Sequence, residues 1–192
     1  MPKTRNAVNQ DNSVIDRLKI NEIKHAGSHR AQLLAARIEE GAANLAAFVE
    51  QLSETEWHTP VSATDRRLVG VIVHHVASMY PIEIDLARAV ASDKSVSDVT
   101  WEAVAQLNAK HAQENAQVSK SVTLELLRQN SREAAAVVRG FTDEELDNAV
   151  SFSLSFGAPM TTQFVIEDHA MRHSWHHLAK IRKALDRGNQ AD

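Results

Sequence analysis

Residues 166–184 read IEDHAMRHSWHHLAKIRKA. Ile166, Ala170, His173, His177, Ile181 and Ala184 recur at alternating spacings of four and three. That spacing is the seam of a helix with one face turned inward. His173 and His177 stand four apart on the seam, so their imidazoles can converge on one point. At about 100° per residue, His176 falls round the side, near Arg172 and Lys183, and His169 lies about 40° toward the polar side of His173. Phe164, Met171, Leu178 and Leu185 form a second apolar stripe at heptad spacing. The helix is expected to start at Thr161 or Thr162 and run to about Arg187, with Gly188 ending it. Lys180, Arg182, Lys183 and Arg187 near its end complement the helix dipole.

Two inward histidines do not complete a metal site, and the rest of the chain supplies a third. The stretch from about Asp65 to Ala91 has helical periodicity. Counted from His75 at about 100° per residue, Leu68, Val71, Met79, Ile82 and Leu86 all fall within roughly 40°. Ile72 belongs to the same stripe. His75 is thus aimed into the protein and His74 is at its flank. An imidazole in an apolar stripe must find a partner. A backbone carbonyl is the ordinary one; an ion shared with His173 and His177 is the alternative. Pro81, inside this helix, should kink it by removing the hydrogen bond to Ala77.

Outward from these two segments the periodicity predicts two further helices. One follows a Ser28 N-cap and runs to about Leu52; the other is a long helix from Trp101 to Arg139, ended by Gly140. Thr142 and Glu145 have capping-box spacing, and Phe141 and Leu146 have staple spacing. AVSFSLSFGAPM, residues 149–160, alternates apolar and polar and reads as extended. The expected fold is all-α, a four-helix bundle over residues 28–188 with a short extended segment before the last helix. Residues 1–27 read as a polar tail, with a short helix within SVIDRLKINEIKH, and 189–192 as a second tail.

Composition narrows the chemistry. The 192 residues contain no cysteine, which removes disulfides, thiolate ligands and a cysteine nucleophile. The formal charge of −4 gives no footprint for nucleic acid or an anionic membrane. No apolar run is long enough to span a bilayer and the N-terminus is polar, so a cytoplasmic protein is expected. Six of the ten histidines are bunched, at positions 74, 75, 169, 173, 176 and 177. Three neutral imidazoles with open positions suit zinc, nickel, copper, iron or cobalt in a catalytic type of site.

VGVIVHHVASMYP, residues 69–81, and RHSWHHLAKIRKAL, residues 172–185, resemble the two histidine motifs of the DinB/YfiT-like superfamily of metal-dependent enzymes. The resemblance spans residues 29–187. Arg172, Ala179 and Lys180 stand where many members have Asn, Gly and Gln, and DRRLVG replaces the usual opening of the second helix. None of these departures removes a ligand. The resemblance implies an up-down-down-up bundle, often a homodimer, with His75, His173 and His177 as ligands of a divalent metal, zinc or nickel foremost. It implies a small-molecule substrate and either thiol transfer from a low-molecular-weight thiol or hydrolysis by metal-activated water. His169 and His74 are the candidates for proton transfer. The competing reading is a non-catalytic dimeric bundle for binding or sensing, its histidines structural; a helix-turn-helix stands further off.

Overall fold

The computed structural model describes residues 27–188. The tail helix expected within SVIDRLKINEIKH lies outside them. Ser28 caps α1 (His29–Glu50), its hydroxyl accepting the Ala31 N–H at 3.0 Å. A capping box of Ser53 and Glu56 starts the single turn α2 (Glu54–Trp57), which buries Trp57. α3 (Val69–Ala91) begins four residues later than its periodicity predicts. Asp65 explains the delay: its carboxylate accepts from the Arg67 guanidinium at 2.9 and 2.8 Å and from Lys180 at 2.7 Å, holding its segment as a loop. Pro81 lies inside α3, which continues through it. The Ala77 carbonyl that proline leaves without its helical partner accepts from Asn130 Nδ2 at 2.8 Å.

The expected helix from Trp101 to Arg139 is two helices, α4 (Trp101–Glu114) and α5 (Lys120–Arg139). Asn115 ends α4 by turning both its backbone N–H and its side-chain amide onto the His111 carbonyl, at 3.0 and 2.8 Å. The Val118 carbonyl, in the break, accepts from Trp57 Nε1 at 3.1 Å. After the capping box of Thr142 and Glu145 come α6 (Asp143–Asp147) and an antiparallel pair, β1 (Ala149–Ser151) and β2 (Pro159–Thr161), joined through a 3₁₀ turn. The last bundle helix is α7 (Thr162–Val165), a π-helical segment (Ile166–Met171) and α8 (Arg172–Gly188).

Side-chain pairs fix the helix directions. Glu50 pairs with Arg128 and Glu39 with Arg139, so α1 and α5 are antiparallel. Gln163 meets Arg30, and Arg182 stands over Phe48, so the last helix runs parallel to α1. His75 meets His177, while Tyr80 and Glu83 meet Ser174 and His173, so α3 opposes the last helix. The order is up, down, down, up. Two successive descending helices need a crossover, and α4 is that crossover. The core is filled by Ile38 and Leu45 of α1, Ile72 of α3, Leu127 of α5 and Ile166 and Ile181 of the last helix, all fully buried. No described helix is long and apolar enough to cross a membrane.

Candidate metal centre

His75 of α3 and His173 and His177 of α8 face one another across the bundle. One ring nitrogen from each lies within 4.8 Å of the other two. His75 Nε2 and His173 Nε2 are 3.2 Å apart. The antiparallel packing of α3 on α8 brings them together across nearly a hundred residues of sequence. The level of contact is set by Tyr80 and Ser174, both fully buried, whose hydroxyls hydrogen-bond at 2.6 Å.

Glu83 backs this centre. Its Oε1 stands 2.6 Å from His173 Nδ1, although the angle is not that of an aligned hydrogen bond. A carboxylate behind Nδ1 favours the tautomer with its proton there and leaves the Nε2 lone pair facing His75. His75 Nε2, 3.2 Å away, meets that lone pair either with its own proton or across a shared cation. His75 Nδ1, His177 Nδ1 and Glu83 Oε2 are also buried without hydrogen-bond partners among the described residues. Each such group costs about 1–3 kcal/mol. These unsatisfied donors and acceptors fit a cation site better than a closed core network.

Burial, joined by the charge of His173, pushes His75 down to about 3. The same causes push His177 down to about 2. Both are therefore neutral near pH 7, the state in which imidazole ligates a metal. Tyr80 is pushed up by burial and stays a neutral phenol.

A fourth histidine joins from the crossover. His111 is the one buried residue of α4. Its Nε2 is 2.9 Å from His74 Nδ1, and its ring stands edge-on to His75 with centroids 5.5 Å apart. Burial lowers the pKa of both His111 and His74; the neighbouring His74 and Arg67 charges lower His111 further.

The inward and flanking assignments made by counting agree with these positions. His75 and His177 are buried, and His173 is nearly so. His176 is exposed beside His177. His74 is tied to His111 and to Ser78, whose hydroxyl donates to the His74 carbonyl at 2.8 Å. His169 lies against Phe152, 6.0 Å between ring centroids. Two neighbours escaped the sequence reading. Glu83 lies on a run of buried residues, Val76, Tyr80, Ala87 and Val90, where a lone carboxylate is itself a signal. His111 had no such signal, because α4 lacks a buried apolar face.

A family model described as the DinB superfamily matches residues 37–181. The chain belongs to the DinB superfamily. Among solved structures it is similar to YfiT from Bacillus subtilis, described as a probable metal-dependent hydrolase with an unusual four-helix bundle topology. The two are 20% identical, with a TM-score of 0.67 over 83% of this chain and 87% of that one. At that identity the likeness concerns the fold, and it agrees with the up-down-down-up order of this DinB bundle. No curated protein matches the sequence.

Proposed function

We propose that this DinB protein is a metal-dependent hydrolase acting on a small molecule, with His75, His173 and His177 holding one divalent ion, zinc or nickel. The observation that carries the proposal is the convergence of three imidazole nitrogens within 4.8 Å, with buried ring nitrogens left unpartnered. A divalent ion held there supplies Lewis acidity, which polarises a substrate carbonyl or phosphoryl group and acidifies water. Glu83, with Oε1 2.6 Å from His173 Nδ1, favours the tautomer that leaves Nε2 free toward the centre. Tyr80 and Ser174 fix α3 against α8, keeping the three rings in register. His74 and His111 stand beside His75, placed to hydrogen-bond a substrate or to move a proton; His169, one turn before His173, is the other proton-transfer candidate.

A second reading, thiol transfer at the same centre, draws support from the absence of cysteine in the chain. The thiol would then come from a low-molecular-weight cofactor. The protein is proposed to act as a cytoplasmic homodimer, on the strength of the family resemblance.

The test is metal analysis of untagged protein together with single variants. About one ion per chain is expected. His75→Ala, His173→Ala and His177→Ala should each lose it, and His176→Ala should keep it. A His173→Ala/His177→Ala double variant with undiminished metal overturns the site. A metal-free protein whose stability ignores chelators favours the non-catalytic bundle.

A further inference from the structure

One surface groove is lined by sequence neighbours of the histidine cluster. It encloses about 460 Å³ between the loop before α3 and the end of α4, and Thr64, Arg66, Arg67, Val71, Ala112 and Gln113 are among its walls. Val71 is one helical turn, about 5.4 Å of rise, before His75, and Ala112 and Gln113 directly follow His111. The groove therefore opens one turn from the proposed metal centre.

Its charge is positive and partly fixed. Arg67 gives Nε and Nη2 to the two oxygens of Asp65, at 2.9 and 2.8 Å. This fork contact holds the guanidinium plane, and among the described residues its Nη1 N–H groups meet no acceptor. Lys180 also engages Asp65, at 2.7 Å, so two cations share that one carboxylate. Arg66 adds an exposed charge. The tally of Arg66, Arg67 and Lys180 against Asp65 leaves an excess of two positive charges. Glu114, whose charge reaches His111, is paired with Lys110 at 3.7 Å. The charge of Arg67 is felt at both His75 and His111, which places it beside the histidine cluster.

We propose that this groove binds the oxyanion of the substrate, a carboxylate or a phosphate, through Arg67 oriented by Asp65 and through Arg66. This names the substrate class for the centre described above, and in that respect it rests on the metal-site reading. An anionic small molecule anchored there extends its other end past Val71 toward His75. Arg67 is then a positioning residue for substrate, not a ligand.

The test titrates the full chain, metal-free and metal-loaded, with inorganic phosphate, propionate and propionamide at constant ionic strength. The readout is NMR of the Arg67 Nε–H and the Ala112 and Gln113 amides. A saturable shift with a Kd on the order of millimolar is expected for at least one oxyanion and none for propionamide. A response to phosphate alone assigns a phosphorylated substrate, and a response to propionate alone assigns a carboxylate. Arg66→Gln should weaken binding about three- to tenfold and Arg67→Gln abolish it, while Arg132→Gln on the far side changes nothing. If Arg67→Gln fails to fold, Arg66→Gln keeps the test decisive. No saturable shift, an equal response to propionamide, or equal weakening by Arg132→Gln overturns the proposal. If no ion loads, the metal site fails, and the metal-free titration still decides this one.

Discussion

Glu83 and Ile82 show where counting along a helix succeeds and where it stops. From His75 the angle alone puts Ile82 inside, yet Ile82 is 43% exposed and Glu83, next to it, is buried. The direction covered at His75 by His111 and α8 opens to solvent two turns further on. Counting measures angle, and burial depends on which neighbour lies at that height. His75, His173 and His177 were legible because each sits where two helices press together. Glu83 was missed because the count was centred on His75, and the buried run of Val76, Tyr80, Ala87 and Val90 that carries it lies to one side of that centre. Glu83→Gln should keep the fold and weaken metal binding about 10- to 100-fold, as loss of an orienting carboxylate does. Competition against a chelating dye measures this; unchanged affinity would remove Glu83 from the centre.

The elements divide in the same way. Three of the four long helices were readable from period and caps, since their apolar faces match the core they enter. The break between α4 and α5 was not, because the local turn of Asn115 onto the His111 carbonyl is joined by a tertiary hydrogen bond from Trp57 to Val118, which the sequence does not display. The π-helical segment was equally hidden. Its wider turn shifts the register ahead of it, so Phe164 is 44% exposed and Val165, one residue on, is fully buried. α4 rests on the bundle through His111 and, at its start, through Trp101 Nε1, which donates to the Leu154 carbonyl at 3.1 Å. His111→Ala should therefore raise amide exchange across 101–114 while leaving α1, α3 and α5 protected. Exchange that rises uniformly would contradict a crossover fastened at that point. Two glycines mark close helix contacts of unequal rigidity. A Cβ at Gly70 would meet fully buried Trp57 at 2.5 Å, and one at Gly41 would meet half-exposed Trp175 at 2.7 Å. Gly70→Ala should cost about 1–3 kcal/mol in denaturant unfolding. Gly41→Ala should cost less, because Trp175 can swing outward.

At the scale of the whole molecule, the descending pair α3 and α5 makes the crossover obligatory, and the crossover carries His111 to the histidine cluster. The up-down-down-up order was legible through the family's motifs and not from periodicity, which carries no direction. Asp65 ties this architecture together by joining the loop before α3 to Lys180 of α8. Hydrogen bonds from Arg67, aided by Lys180, outweigh burial and hold its carboxyl well below the usual carboxylate range. A folded pKa below the unfolded one gives stability present above about pH 4 and lost as pH falls through that range. Wild type should therefore exceed Asp65→Asn by about 1–3 kcal/mol near pH 6, and the gap should shrink below about pH 4. Thermal unfolding across pH reads this directly, and a gap that widens in acid would contradict it. One ion is proposed to sit among His75, His173 and His177. X-ray absorption at the metal edge of untagged protein tests it most directly. Three imidazole nitrogens at about 2.0–2.1 Å are expected, with that shell lost in His173→Ala/His177→Ala; a protein without metal, or a shell unchanged in that variant, would contradict the account.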